Sequence, residues 1–99
     1  MEPIPFETGR VVTSTQGRDR KRSFVVIAPP QDGYVLMADG LTRKLDHPKK
    51  KKTKHLRAKP LVIDLAIARP EGGPLQDSDL RRVLEDNGFA PERSLRKEG

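Results

Sequence analysis

The sequence contains no cysteine, which excludes a disulfide framework and any zinc site built on thiolates. Histidine is scarce too. His47 and His55 are the only two, both lie in a charged stretch, and no carboxylate cluster accompanies them at ligand spacing, so no metal site is expected. Catalytic signatures are missing as well: Ser14 and Ser23 lack the context of a nucleophile elbow, and Gly72-Gly73 belongs to a linker, not to a phosphate-cradling loop. A non-enzyme is expected, with no cofactor and no small-molecule substrate. No apolar run is long enough to cross a bilayer, and the start Met-Glu-Pro-Ile-Pro-Phe has neither the charged lead nor the apolar stretch of a signal peptide. The expectation is a cytoplasmic protein without a membrane partner.

Aromatic residues are few: Phe6, Phe24, Tyr34 and Phe89, with no tryptophan. Proteins that bind single strands on stacking platforms use several exposed rings, and proline-peptide grooves need clustered ones. Phe24 and Tyr34 fall in predicted strands and are expected in the core. Apolar residues supply 33% of the 99 positions and charged residues 34%, which suits one small core with extensions and not two domains.

What the chain does have is positive charge, unevenly placed. Residues 1–69 carry fifteen Lys/Arg against seven Asp/Glu, whereas residues 70–99 carry five against seven. Two basic groups stand out. Lys49, Lys50, Lys51, Lys52, Lys54 and His55 are flanked by Arg43, Lys44, Arg57 and Lys59, with Asp46 the one acid between positions 43 and 59. Charges packed this densely repel one another unless an anion relieves them, and an RNA backbone does so while releasing counterions. The other meanings of such a run are a solvated loop or a nuclear-import address. The second group, Arg10, Arg18, Arg20, Lys21 and Arg22, brackets the first turn. Arginine forks bind phosphate in bidentate fashion and stack on bases, which suits folded RNA. Arg18 and Asp19 can also form a local ion pair, or Asp19 can orient a neighbouring arginine.

Residues 9–15, rich in β-branched side chains, predict a strand ending at Gln16-Gly17. The apolar run Phe24-Val25-Val26-Ile27, bounded by Pro29 and Pro30, predicts a second, mostly buried one. Asp32-Gly33 and Asp39-Gly40 supply turn chemistry around strands at 34–37 and 41–45. Four strands in meander order suggest a small barrel or sandwich, with 61–65 as the fifth strand that closes it and 47–57 as a basic loop. Beyond a linker at 71–74, Asp77 or Ser78 caps a short helix carrying Leu80, Val83 and Leu84. Gly88 stops it, with Phe89 returning to Leu84 in a Schellman arrangement. Residues 1–69 are thus expected to form the barrel and residues 70–99 a linker and helical extension, whose apolar face docks on the barrel or a partner.

Gly9-Arg10-Val11-Val12, Gly17-Arg18-Asp19, Phe24-Val25-Val26-Ile27, Tyr34-Val35-Leu36, Asp39-Gly40 and Lys54-His55-Leu56 together resemble the small bacterial KOW-domain RNA-binding proteins related to the L-fourteen-e large-subunit ribosomal protein family. The resemblance covers about residues 6–58. It implies a mostly β fold, an SH3-like five-stranded barrel that binds ribosomal RNA through loops beside the KOW turn, here with a short C-terminal α-helix. Carried over by position, the binding residues are Arg10, Gly17, Arg18, Arg20, Lys21, Arg43, Lys44 and the lysine run. Many relatives have a glycine late in the first turn, where this chain reads Arg20-Lys21-Arg22. The function expected is that of a ribosomal or ribosome-associated protein that stabilises large-subunit rRNA, with ribosomal proteins as candidate partners of the helix. The alternative is a KOW-type adaptor contacting transcription or translation factors.

Overall fold

The computed structural model describes residues 5–65 and 73–90. Its elements are β1 (Arg10–Ser14), β2 (Ser23–Gln31), β3 (Tyr34–Ala38), β4 (Lys49–Lys52), a single 3-10 turn (Thr53–His55), β5 (Leu56–Val62) and α1 (Asp77–Asp86). The five strands form one antiparallel sheet in the order β4-β3-β2-β1-β5. Among the described residues the fold is therefore mostly β, with one short C-terminal helix. In a flat sheet the outer strands β4 and β5 would stand roughly 19 Å apart. A 3-10 turn of three residues spans only about 6 Å, so the sheet has to curl. The turn is held at both ends: Gly33 at the β2–β3 hairpin accepts from the Thr53 N–H at 2.9 Å, and Thr15 at the end of β1 donates to the His55 carbonyl at 2.9 Å. The result is a small SH3-like, barrel-like sheet that stays open, with β4 and β5 as its two edges and not a closed ring.

Alternation along β1 and β2 builds two cores. Val12, Phe24 and Val26 join Val35, Met37 and Leu56 on one face, while Val11 and Val25 join Ala38, Ile63, Leu80 and Leu84 on the other. Continuous apolar runs such as Val11-Val12 and residues 24–27 are what a strand buried on both faces requires. The second face is covered by α1, whose Leu80 and Leu84 are fully buried. Burial of each contributes about 1.5–3 kcal/mol. The helix thus docks on the sheet.

The helix ends as its sequence predicts: the Phe89 N–H donates to the Leu84 carbonyl at 2.8 Å, the Gly88 N–H to Glu85 at 3.1 Å, and Gly88 has φ +83°. Its start differs. Gln76 is the N-cap, and its N–H donates to the Asp79 carboxylate at 3.0 Å. Asp77 is turned to another use, accepting from the Leu45 N–H at 2.8 Å. Gly40, at φ +78°, lets the chain pass against the first helical turn, where a Cβ would collide with the Asp77 carbonyl oxygen.

Three strand expectations are corrected. Residues 41–45 are not a strand, because the buried Asp39 carboxylate captures the backbone first: its Oδ1 accepts from the N–H groups of Leu41, Thr42 and Arg43 at 2.9, 2.8 and 2.9 Å. The fourth strand is instead the lysine run, expected as a loop. β5 starts at Leu56, and Pro60 lies inside it where the β1 register is irregular, between the pairs Val12↔Ala58 and Arg10↔Val62. An edge strand at a bulge tolerates a residue that cannot donate. β2 likewise runs on through Pro29 and Pro30, beyond its last pair with β1 at Val25. No helix among the described residues is long and apolar enough to cross a membrane. Of the linker expected at 71–74, residues 71 and 72 lie outside the described residues.

Candidate nucleic-acid interface

Strand geometry sorts the lysine run. β4 pairs with β3 in the register Tyr34↔Lys52, Val35↔Lys51, Leu36↔Lys50, Met37↔Lys49, and directly opposed residues share a face. Lys49 and Lys51 therefore lie on the side of the core residues Val35 and Met37, and Lys50 and Lys52 on the other side with Tyr34 and Leu36. Lys51 is largely buried, its side chain 11% exposed; its Nζ donates to the Gln16 carbonyl at 3.0 Å and lies 3.9 Å from an oxygen of Asp19. Lys50 is exposed, and its Nζ lies 4.8 Å from the centroid of the Tyr34 ring.

Asp19 is the centre of one half of the surface. It sits in the turn after β1, buried, with Arg43 at 3.9 Å from one carboxylate oxygen and Lys51 at 3.9 Å from the other. At those separations the attraction is Coulombic and not a hydrogen bond. One carboxylate thereby draws together the first turn, the Asp39 loop and β4. Arg18, Arg22, Thr42 and Arg43 line a depression of about 280 Å³ over it. Arg43 is the one of these three arginines that pairs with Asp19, and three guanidinium groups around one carboxylate leave net positive charge at the depression. The partners of Asp19 are Arg43 and Lys51, where the sequence suggested a local pair with Arg18.

The turn that carries these arginines is held by backbone bonds, Lys21 N–H to Ser14 at 2.8 Å and Ser14 N–H to Arg22 at 2.9 Å. Closing it requires a left-handed residue late in the turn. Lys21 fills that position at φ +73° without being glycine. Gly17 has φ +84°, and Lys51 Nζ comes closest to where its Cβ would stand.

The other predicted residues divide. Arg10 is buried, its guanidinium bonded to the Pro5 carbonyl (2.8 Å), the Lys59 carbonyl (3.2 Å) and Glu7 (2.8 Å). It braces the N-terminal lead against β5 and is not available to phosphate. Arg20, Lys21 and Lys44 are exposed, and Lys52 and Lys54 flank Tyr34 in a second depression with Asp32, Gly33 and Thr53. His55 contributes its backbone carbonyl to Thr15. Arg57 is exposed on β5, at the opposite edge of the sheet from β4.

Tyr34 and Thr42 are at the surface although sequence reasoning did not place them there. Phe24 is fully buried as expected, but Tyr34 is only half-buried and belongs to neither core. The signal was present in the alternation of β3, where Val35 and Met37 take the inner face and leave Tyr34 and Leu36 the other. Among the described residues no three His, Asp or Glu side chains converge as metal ligands would. Comparison of the sequence with protein-family models finds no match, and comparison with curated proteins finds none either.

Proposed function

We propose that this protein binds structured RNA, as a constituent or accessory of the ribosome that stabilises a fold of large-subunit rRNA in the cytoplasm. The observation that carries this reading is the pairing of strand order with charge. Folding gathers Arg18, Arg22 and Arg43 over a single buried carboxylate and sets Lys50, Lys52 and Lys54 around one half-buried ring. Side chains so placed have no sufficient internal anion, and phosphates supply one. The resemblance of residues 6–58 to KOW-domain proteins supports the same reading.

Phosphate contacts position a protein on RNA without reading its sequence, so recognition of RNA shape is the expected mode. The apolar face of α1 is occupied by the sheet, which supports an RNA-facing role more than an adaptor whose helix meets a partner protein. Co-sedimentation with large ribosomal subunits at moderate salt, followed by crosslinking and sequencing of the attached RNA, tests the proposal. Crosslinks confined to one rRNA region are expected. Recovery in the ribosome-free fraction with no RNA attached would overturn it.

A further inference from the structure

Beside β4, on the face away from the buried Asp19, Tyr34 borders a groove of about 510 Å³ that also involves Ala28, Pro29, Gln31, Leu36 and Lys50. Its apolar walls are a proline ring, a leucine and the tyrosine. Its rim is cationic, because Lys50 borders it directly and Lys52 and Lys54 border the adjoining depression on the other side of Tyr34. Among the described residues Asp32 is the one acid lining either depression. The Lys50 ammonium 4.8 Å from the Tyr34 centroid marks a π surface that solvent-borne groups can reach. An exposed cation–π contact is weak, so a better stacking partner can displace it.

We propose that this groove is a stacking subsite for one unpaired nucleobase, seated on Tyr34 against Pro29 and Leu36, while Lys50 and Lys52 meet the phosphates that flank it. The inference rests on the RNA-binding reading and deepens it. Strand alternation places the ring and both lysines on one face, Tyr34 directly opposite Lys52 and Leu36 directly opposite Lys50. Lysines spaced two residues apart on an extended strand stand roughly 6.5–7 Å from each other, a fitting distance for successive phosphates of a single strand. The positive rim selects a polyanion over a neutral proline-rich peptide. One ring means one base: Phe24 is buried, and Phe6 and Phe89 pack against the two cores. The preferred target is therefore a duplex with a bulged or flipped-out nucleotide, not a long single strand, which needs several platforms.

Tyr34 is the sole tyrosine and tryptophan is absent, so tyrosine emission reports this ring alone. The test uses the full chain and two RNA hairpins that differ at one nucleotide, a bulged adenosine in one and an abasic residue in the other. Their phosphates are the same. The bulged hairpin is expected to quench the emission and to bind about 5- to 100-fold more tightly; Tyr34→Phe should keep that preference and Tyr34→Leu should remove it. Equal affinity and equal emission with the two hairpins would overturn the stacking subsite and leave RNA binding standing. If neither hairpin binds at low salt, the RNA reading falls and the subsite with it. Quenching by a proline-rich peptide and not by RNA would also overturn the proposal. The comparison of hairpins needs only the wild-type chain, so it stands even if Tyr34→Leu fails to fold.

Discussion

The Lys51 ammonium lies 3.9 Å from the buried carboxylate of Asp19 and donates to the Gln16 carbonyl at 3.0 Å, which makes one of four consecutive lysines part of the scaffold. Its neighbours Lys50 and Lys52 point away and are exposed. Residues that look identical in the sequence therefore have separable roles, stability for one and surface charge for the others.

Stability measurements should separate them. Lys51→Gln leaves Asp19 buried with one cation fewer, and Asp19→Asn leaves two cations facing a neutral group; each should lower unfolding free energy by about 1–3 kcal/mol. Lys50→Gln should stay within about 0.5 kcal/mol of the wild type. Urea midpoints give the ranking, and a larger loss for Lys50→Gln than for Lys51→Gln would contradict the packing described above.

Salt dependence should separate them in the opposite order. If Lys50, Lys52 and Lys54 each meet a phosphate, their joint replacement by Gln flattens the slope of log affinity against log salt by roughly two units. Adding Lys51→Gln should change that slope little further, since its charge is already committed to Asp19. Filter binding from low to moderate salt measures both. A slope that falls only when Lys51 is included would place the phosphate contacts on the inner side of β4.

The helix should prove inseparable from the sheet. A linker at 71–74 by itself would mark a boundary that few contacts cross, yet Leu80 and Leu84 share a core with Val11, Val25, Ala38 and Ile63. Leu80→Ala and Leu84→Ala should each cost about 2–5 kcal/mol, a large fraction of the 5–15 kcal/mol typical of a domain. Deleting residues 71–99 should abolish cooperative unfolding. A truncated chain that still melts in a single sharp transition would show that the sheet stands alone.

A single glycine should relieve the first turn. Lys21 holds φ +73°, a conformation that costs an L-residue about 1–2 kcal/mol and glycine almost nothing. Against the extra entropy glycine carries in the unfolded chain, Lys21→Gly should raise stability by roughly 0.5–1 kcal/mol. Thermal unfolding checks it, and a lowered melting temperature would mean that the Lys21 side chain makes a contact worth more than the strain.

Where a signal is local, the amino-acid order alone determines the outcome. The stop at Gly88 with Phe89 folded back on Leu84 depends on residues five apart, and the tight turn at Asp32-Gly33 on two. The paired apolar residues of β1 and β2 mark strands covered on both faces whatever covers them. The choices that needed the tertiary structure are those in which distant groups compete for one residue. Residues 41–45 have the composition of a strand, but the Asp39 carboxylate accepts from the N–H groups of Leu41, Thr42 and Arg43, and Leu45 turns to Asp77, 32 positions away. The lysine run has the composition of a loop, yet it pairs with β3 at the sheet edge while the charges of Lys50 and Lys52 stay near water. Which lysines remain free for a ligand was then decided by the period of two along β4 and by where Asp19 lies. A strand has two faces, and only the neighbours across the sheet determine which of them meets solvent.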